Sequence, residues 1–478
     1  MSSFSVSSGL NKNVQLPDSQ VVLVGRHKHL KSVNFTDLRE KLQGVDERVF
    51  KAAVDQLQSD GDSVPLYLDS AKLIAVKDEV SRHNSPANGT EIYKQLSALK
   101  LVKGVKNLNI VLYAEYQHVF ASVAAIVRSF PTFKRKEKAE DLESIQVEFL
   151  QTLADSIRTV ARQVDTPCNE FHTEIFADEA IRQVEALNAG VTRVMIKGED
   201  LKAQGFGGIY NVGKAARNPP IFLCLSYKPA GSTESYALVG KGIVYDTGGL
   251  SLKTPQIMPT MKLDMGGAAA LLGAFCALVK SGFKQEIHCL LCMAENHISP
   301  DSVKPDDIIK MLSGKFVEVN NTDAEGRLVL SDGVYYAKNT LNAQNIIVCA
   351  TLTGAQKFVT GVYHSAILSN DEETELETVK AGKRSGDLVH PLLYCPELHF
   401  GDFKSKVADM KNACTDPKGP PTATAGLFAF SHIDFAKDVR FLHLDIAYPA
   451  FQQERATAAG MSVVVGLLAK HTDVEVAK

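Results

Sequence analysis

The segment VGKGIVYDTGGLSLK, residues 239–253, carries the pattern that decides the fold of most of this chain. Its first half is apolar and β-branched, which predicts a buried strand. Its second half is a glycine-rich turn, where the backbone can bend sharply and approach other groups closely. Lys241, Asp246 and Lys253 lie in or beside this turn. Sheets of parallel strands bind ligands at the carboxyl ends of their strands, so we expect a functional site here.

A second segment, NTDAEGRL at residues 321–328, places Asp323, Glu325 and Arg327 two residues apart. Alternate residues of an extended chain face the same side, whereas residues two apart on a helix diverge. An extended or loop conformation would therefore direct two carboxylates and a guanidinium into one space. Carboxylates that close repel each other unless a cation or a proton lies between them, and hard cations take such oxygen ligands. An isolated D-x-E-x-R would instead be a solvated acidic turn.

A third segment, MKLDMGG at residues 261–267, places Asp264 at the start of an alanine-rich helix over residues 266–280. Each residue has a plain structural alternative when taken singly. Asp264 could cap the helix, Lys241 could be exposed at a strand end, and Lys253 could pair with any acid. Four carboxylates and two lysines on glycine-rich strand ends together favour one site at the edge of the sheet.

Composition excludes several classes of protein. The 478 residues, 45% of them hydrophobic, suffice for two or three domains with large cores. A charged fraction of 22% and a net charge of −3 argue against a polybasic nucleic-acid or membrane surface. No transmembrane helix and no targeting signal are expected, which favours the cytoplasm. The CxxC of Cys289 and Cys292 lies in a strand-like run, where the two thiols would face opposite sides.

The chain reads as an α/β protein. Strand-like runs at 21–25, 66–69 and 109–114 alternate with helical runs at 46–57 and 119–130, which favours βαβ units on a parallel sheet. The segments 81–86 and 133–138 read as a loop and a solvated face. A helix at 151–164 ends before DTPCNE, so we predict a smaller N-terminal α/β domain, residues 1–164, and a larger C-terminal α/β catalytic domain with a mixed central sheet, residues 165–478. Its core strands are predicted at 236–246, 286–295, 345–352 and 440–447.

Together, the three acidic and glycine-rich segments resemble the leucyl aminopeptidase (cytosol aminopeptidase) family. The spacing of the seven charged residues is similar to the family's throughout, and the resemblance covers the whole C-terminal domain. The N-terminal third resembles the family only weakly. The sequence is most similar to the animal aminopeptidase-like branch.

The resemblance implies a metal-dependent exopeptidase that releases N-terminal amino acids from short peptides. It implies two divalent ions, zinc with manganese or magnesium possible at the looser position, that activate a hydroxide. Lys253 and Arg327 match the catalytic positions, and Arg327 would hold a bicarbonate. The implied metal ligands are Lys241, Asp246, Asp264, Asp323 and Glu325.

The resemblance also implies a pocket for the first side chain of the substrate, and a methionine-lined pocket favours Leu or Met. Its residues would be Met261, Thr351, Leu352 through its backbone, Gly354 and Met461. Plain core packing is an equal alternative for Met461. The chain departs from the family at Thr247, which replaces a serine, in the Met-Lys-Leu approach to Asp264, and in the loop 412–426, which lacks a glycine-rich pattern.

A homo-hexamer with enclosed sites is implied by the resemblance, and the N-terminal domain would serve assembly and access. A monomer with a narrow pocket is the alternative. His443 and Asp445 would share one face of a strand, where a satisfied core histidine is favoured over a role beside the site. Two other functions remain open. One is a dinuclear phosphoesterase, and the other is a scaffold or nucleic-acid-binding protein with little peptidase activity.

Overall fold

The chain forms two compact units in the computed structural model, which describes residue 6 and residues 19–42, 44–58, 61–66, 71–99, 105, 107–130 and 145–477. The first unit is Met1–Asp155 with Gly382–Gly386 and Val474–Lys478, and the second is Ser156–Ala381 with Asp387–Asp473. This division falls inside a helix that ends at Asp165. The domain limits 1–164 and 165–478 stay a prediction.

The first unit is a four-stranded sheet with helices, in the order β2-β3-β1-β4. Strand β1 is parallel to β3 and β4, as predicted, but β2 is antiparallel to β3. The wholly parallel prediction was wrong because only residues 67–70 separate β2 from β3, too few for a crossover. The predicted strand 66–69 lies outside the described residues except Leu66, and 133–138 lies wholly outside them. The elements are β1 (Ser19–Arg26), α1 (His27–Lys31), α2 (Phe35–Leu38), α3 (Glu47–Gln56), β2 (Asp62–Leu66), β3 (Ala71–Val76), α4 (Gly89–Ser97), β4 (Asn107–Tyr113), a 3-10 helix (Tyr116–His118), α5 (Val119–Arg128) and α6 (Ile145–Asp165).

The rest of the chain contributes mostly to the second unit. Its elements are α7 (Thr173–Glu185), β5 (Thr192–Lys197), α8 (Glu199–Ala203), α9 (Gly207–Gly213), β6 (Ile221–Tyr227), β7 (Ser235–Asp246), a 3-10 helix (Met261–Met265), α10 (Gly266–Lys280), β8 (Glu286–Asn296), β9 (Ile308–Lys310), β10 (Phe316–Glu318), α11 (Gly326–Asn339), β11 (Asn345–Ala350), α12 (Gln356–Thr360), β12 (Ser365–Ser369), α13 (Glu372–Ser385), β13 (Val389–Pro391), α14 (Pro396–His399), a 3-10 helix (Phe400–Phe403), β14 (Met410–Lys411), α15 (Pro421–Ser431), β15 (Arg440–Asp445), β16 (Phe451–Gln452), β17 (Arg455–Ala456), α16 (Met461–Leu468) and 3-10 helices (Ala469–His471, Glu475–Ala477).

An eight-stranded mixed sheet, in the order β13-β12-β15-β11-β7-β8-β6-β5, is the centre of the second unit. Strands β15, β11, β7 and β8 are parallel, whereas β12 and β6 run antiparallel to their central neighbours. The predicted mixed central sheet is thus confirmed. Helices α10 and α16 pack together on one face, and α9, α11 and α15 pack on the other. The carboxyl ends of the parallel strands meet at one edge, where the acidic segments lie.

Glycines let α10 lie directly on the sheet. A Cβ at Gly240 of β7 would be 2.4 Å from Cα of Ala268, and one at Gly267 would be 2.1 Å from the carbonyl oxygen of Cys349. Real Cβ contacts are never this short, so larger residues there would push the helix away. The close approach fixes the start of α10 beside the ends of β7 and β11.

Strand β7 contains a bulge that matters for the site. Lys241 and Asp246 are five residues apart and would face opposite sides of a regular strand. The pairing with β8 runs from Ile243 opposite Ala294 to Asp246 opposite Asn296, so β7 has one residue more than β8 in this interval. A bulge of one residue reverses the facing of the residues beyond it, which brings Asp246 to the side of Lys241.

Two expectations about apolar segments can be compared with the structure. Met261–Lys280 is long and apolar enough to cross a membrane by length and composition, contrary to the expectation, but 89% of its most apolar window is buried inside the protein. Cys289 and Cys292 of β8 are buried free thiols. Cys292 lies against Gly333 of α11, whereas Cys289 neighbours Cys276 of α10 on the other face, as predicted.

Candidate metal centre

Lys241 is buried in the site, with a relative exposure of only 2%. Its Nζ lies 2.7 Å from Asp264 Oδ2 and 2.9 Å from Glu325 Oε1, and it donates to the carbonyl of Thr351 at 3.1 Å. The alternative of an exposed strand-end lysine was wrong. Asp264 is not a helix cap either, because Met265 is the N-cap residue of α10 and Asp264 Oδ1 instead accepts a 2.8 Å hydrogen bond from Thr351 Oγ1.

Lys253 joins the glycine-rich turn to the acidic loop. Its Nζ lies 2.7 Å from Asp246 Oδ2 and also forms an ion pair with Asp323 Oδ1. Gly248 has a φ of +85°, and a Cβ there would be 2.8 Å from Asp323 Oδ1. Only glycine permits both this conformation and this approach. Thr322 and Ser251 tie the same two segments together through reciprocal hydrogen bonds of 2.7 and 3.1 Å.

Three carboxylates converge beside these lysines. Asp246, Asp323 and Glu325 each offer an oxygen, and these oxygens lie within 4.8 Å of one another. Asp323 and Glu325 lie in the predicted loop, which ends where α11 begins at Gly326. Arg327 is already in the first turn of α11 rather than in an extended segment. Its Nη1 donates to the carbonyl of Asn412 at 3.0 Å.

Gly326 makes the convergence possible. A Cβ at this position would be 2.6 Å from Cε of Lys241 and 2.8 Å from Cδ1 of Leu352. The start of α11 therefore packs directly against the Lys241 stem. The motif needs a glycine at this position because any side chain would displace Lys241, whose ammonium pairs with both Asp264 and Glu325.

Asn296 holds Asp246, and sequence reasoning missed it. Asn296 Nδ2 donates to Asp246 Oδ1 at 2.8 Å and to the carbonyl of Thr322 at 3.1 Å, while Gly248 N donates to the same Asp246 oxygen at 2.9 Å. The available signal was its position, because Asn296 ends the strand that neighbours β7. A polar residue after an apolar run at the functional edge is the pattern that identified Asp246.

Burial and crowding of charge shift the pKa values of these groups. Burial, with the nearby Glu325 and Asp246, raises the pKa of Asp323 to about 7. Burial is also the main cause that raises the pKa of Asp264 and of Glu325. Burial alone would lower the pKa of Lys241, but the charges of Asp264, Glu325 and Asp246 raise it above its ordinary value. The carboxyl groups therefore resist ionisation here. The ammonium groups of Lys241 and Lys253 are the counter-ions of those that are ionised.

The predicted substrate-binding residues lie in different surroundings. Thr351 is buried and bonds Asp264, and Met261 is half-buried in the 3-10 helix before α10. Leu352 N donates to Asp445 Oδ1 at 3.1 Å, so a substrate contact would have to come from its carbonyl. Gly354 is exposed, and within the described part of the chain a Cβ there would meet no atom within 4 Å. Met461 is fully buried, and its Sδ lies 3.2 Å from where a Cβ on Gly273 would be. These surroundings favour core packing for Met461, and its substrate role stays a prediction.

His443 and Asp445 do not form a pair. Asp445 accepts from the N–H groups of Leu352 and Ala447 and from Thr353 Oγ1 at 2.6 Å, so it anchors the loop after β11. Burial raises the pKa of Asp445 to about 6. His443 is fully buried, and neither ring nitrogen has a hydrogen-bond partner among the described residues. His443 is thus a core histidine as expected, but the expectation that its ring nitrogens are hydrogen-bonded was wrong.

Comparison with known proteins places this site in a family. A protein-family model described as "Cytosol aminopeptidase family, catalytic domain" matches residues 158–469. The chain belongs to the cytosol aminopeptidase family. It is therefore a peptidase, a class of hydrolase. The model described as "M17 aminopeptidase N-terminal domain 2" matches residues 19–139, so the N-terminal part, which resembled the family only weakly, is also typical of these aminopeptidases.

Individual relatives cover nearly the whole of this aminopeptidase family member. Leucine aminopeptidase 1 of Caenorhabditis elegans is 47% identical over 486 residues, covering 96% of both proteins. "Probable aminopeptidase NPEPL1" of Mus musculus is 47% identical over 475 residues, covering 95% of this chain and 90% of that protein. The solved structure of the Caenorhabditis elegans enzyme has a TM-score of 0.92 at 46% identity, covering 96% of this chain and 97% of that one. The leucyl aminopeptidase structure from Trypanosoma cruzi has a TM-score of 0.84 at 36% identity, covering 94% and 92%. The predicted family and two-domain α/β fold are thus confirmed.

Proposed function

We propose that this chain is a metal-dependent exopeptidase that releases N-terminal amino acids from short peptides. The observation that carries the proposal is the convergence of the buried Asp246 and Glu325 with the half-buried Asp323 at the carboxyl edge of the sheet. Membership of an aminopeptidase family supports the substrate class. The metal, the residues that bind it and the preference for particular peptides belong to this proposal.

The donor set fits divalent cations. Four carboxylates, of Asp246, Asp264, Asp323 and Glu325, face the two ammonium groups of Lys241 and Lys253, so the fully ionised set would carry two negative charges in excess, which divalent cations would neutralise. Glu325 Oε2 is buried and, in the part of the chain that the structure describes, lacks a hydrogen-bond donor. A buried carboxylate oxygen without a donor is costly unless a cation binds it.

Asp246 and Glu325 would contribute to holding both of two ions, Asp323 to holding the looser ion, and Lys241 and Asp264 to holding the tighter one. Zinc suits the tighter site, and manganese or magnesium suits the looser one. Two divalent ions supply a hydroxide nucleophile at neutral pH and polarise the scissile carbonyl. Lys241 can bind a metal only when neutral. The facing carboxylates raise the pKa of Lys241 against the opposing effect of burial, so ions that bind those carboxylates would leave burial to favour the neutral form.

The remaining charged groups have roles in the reaction itself. Lys253 points into the carboxylate cluster as a cation, which suits it to stabilise the oxyanion that develops on the substrate carbonyl. Arg327 is partly exposed beside the site, but its Nε is buried and has no acceptor among the residues described. A guanidinium with an unpaired donor suits a small oxyanion, and a bicarbonate held there would assist proton transfer.

The first side chain of the substrate would lie among Met261, Thr351, Gly354 and Met461, with the Leu352 carbonyl contacting the substrate backbone. A pocket with methionines accommodates Leu or Met best. The open space at Gly354 suits the entrance of such a pocket.

A metal-removal experiment tests the proposal. Treatment with a chelator should abolish release of leucine from Leu-linked amides, and Zn²⁺ or Mn²⁺ should restore it. Activity that survives complete metal removal would reject the two-metal assignment. Turnover of phosphomonoesters in place of amides would favour a phosphoesterase. Strong salt-dependent DNA binding without peptidase activity would favour a scaffold.

We further propose a cytoplasmic homo-hexamer in which the N-terminal domain, residues 1–164, serves assembly and access. An exopeptidase that must spare folded proteins gains selectivity when its sites face an enclosed space. Light scattering should give a mass of about 311 kDa, six times the chain mass of 51.9 kDa. A mass near that of one chain would support the monomer instead.

A further inference from the structure

Asn412 follows β14 and is completely buried. Its Oδ1 accepts hydrogen bonds from the N–H groups of Asn320 at 2.9 Å and Asn321 at 3.3 Å. Its Nδ2 donates to the carbonyls of Asn321 at 2.6 Å and Ala324 at 3.3 Å. A primary amide has two donor hydrogens and two acceptor lone pairs, so all four hydrogen-bonding positions are used.

All four bonds go to one loop, residues 320–324, which contains Asp323 and leads into Glu325. Asn321 connects Asn412 to Asp323, because Asn321 Oδ1 accepts a hydrogen bond from Asp323 N at 2.9 Å. Ala324, the last residue bonded by Asn412, directly precedes Glu325. The loop therefore takes its shape from a side chain that lies 89 residues beyond Asp323 in the sequence.

The backbone of Asn412 holds the other candidate catalytic group. Its carbonyl accepts from Nη1 of Arg327 at 3.0 Å, and the Arg327 guanidinium lies 5.8 Å from the centre of the Phe403 ring. One residue thus bonds the loop with its side chain and the guanidinium with its carbonyl. The distance between the carboxylates and Arg327 depends on where Asn412 lies.

We propose that Asn412 is a positioning residue that sets the geometry of Asp323 and Glu325 for metal binding and of Arg327 for turnover. This inference rests on the proposed function, because it assumes that the carboxylates bind metal. Asn412 does not itself offer an atom to the metals, since its amide is saturated by backbone groups. Residues of this kind, which orient metal ligands from behind, typically contribute about 10- to 100-fold to metal affinity or activity.

Asn412→Ala tests the proposal without adding charge near the site. We expect Mn²⁺ alone, titrated into chelator-treated protein against a metallochromic indicator, to bind at least about 10-fold more weakly than to the wild-type chain. We also expect kcat to fall by at least about 10-fold while KM changes by less than about 2-fold. A purely structural role would lower the melting temperature but leave the metal affinity of the folded protein unchanged.

Asn370→Ala is a matched control. Asn370 Nδ2 donates to the carbonyl of Val439 at 2.8 Å, and its Oδ1 accepts from Phe441 N at 2.8 Å. It thus clamps backbone in the same unit, but at the beginning of β15, the opposite end of the sheet from the site. This variant should melt at a lower temperature and bind Mn²⁺ as the wild type does.

The outcomes separate the two proposals. A wild-type chain that binds neither Mn²⁺ nor Zn²⁺ would reject the proposed function. A wild-type chain that binds Mn²⁺, with Asn412→Ala binding equally well, would reject the positioning role alone. If circular dichroism shows Asn412→Ala to be unfolded, Asn412→Ser, which keeps one donor and one acceptor, takes its place with the same expectation. Unfolding of both variants would assign Asn412 to folding and overturn the proposal.

Discussion

The ammonium of Lys241 lies 2.7 Å from Oδ2 of Asp264, which joins the end of β7 to the beginning of α10. Both groups are buried, and such pairs are costly to desolvate unless further bonds satisfy them. Here Thr351 donates to Asp264 and accepts from Lys241 through its carbonyl, so one residue completes both partners. Removing either partner would leave the other charge buried without a counter-ion, which should damage both the site and the fold.

Removing Glu325 should remove metal. Glu325→Ala deletes a buried carboxylate that we assign to both ions, so we expect fewer than two metal equivalents per chain and loss of peptidase activity. Metal content is measured by mass spectrometry on the purified protein. Asp438→Ala, which removes an exposed partner of Lys338, is the control and should keep both ions. Two full equivalents in Glu325→Ala would contradict the assignment.

Lys253→Ala should separate chemistry from metal binding. Losing one group that stabilises an oxyanion typically costs about 10²–10³ in rate, so kcat should fall by that factor. Metal content should stay near the wild-type value, since Lys253 is assigned to the substrate rather than to an ion. Steady-state kinetics and metal analysis on the same preparation provide the comparison. A near-normal kcat would exclude Lys253 from the mechanism.

Gly326→Ala should disturb the site through a single methyl group. The new Cβ would lie 2.6 Å from Lys241 Cε, so Lys241 or the start of α11 must move. We expect at least about a 10-fold loss of metal affinity or activity, as is typical when the support of metal ligands is changed. Gly401→Ala is the matched control, because a Cβ there meets only Lys404 Cε, at 4.0 Å. Equal Mn²⁺ affinity of both variants would show that the close packing at Gly326 is not required.

His443→Leu should change how stability depends on pH. Burial, with the charge of Arg327, lowers the pKa of His443 to about 3, from 6.5. The unfolded chain therefore takes up a proton below pH 6.5 that the folded chain refuses, so wild-type stability from this group is present above pH 6.5 and is lost as the pH falls. The loss is up to about 1.4 kcal/mol per pH unit.

The leucine variant lacks this loss. Its unfolding free energy relative to that of the wild type should therefore increase as the pH is lowered from 7.5 to 5.5. Urea denaturation of both proteins at the two pH values measures the difference. A difference in unfolding free energy that is the same at both pH values would mean that His443 titrates normally in the folded chain.

The sequence predicts the carboxylates and lysines of the site because each lies in a short motif beside glycines whose conformation is locally determined. Lys241, Asp264, Asp323 and Glu325 come together as those motifs suggest. Their supporting residues are different, because Asn296 is marked only by its position at a strand end and Asn412 lies in a segment with no local sign of that role. Such contacts depend on which strands become neighbours, and periodicity does not encode that.

Local sequence patterns also do not predict irregularities of a single residue in a strand. The bulge between Ile243 and Asp246 reverses the facing of Asp246, yet the sequence there reads as a regular strand. The antiparallel pairing of β2 with β3 was missed for a related reason, since its connecting residues were assigned to a strand. A difference of one residue in the position where a strand ends changes the direction in which the chain turns.

The position of β15 in the sheet has a consequence for the making of this enzyme. It lies between β12 and β11, although it is synthesised after both. A nascent chain that has not yet reached residue 445 can neither attach β12 to the sheet nor anchor the loop after β11 through Asp445. The central sheet and the loop after β11, which contains Thr351 and Leu352, are therefore completed only when nearly the whole polypeptide has been made.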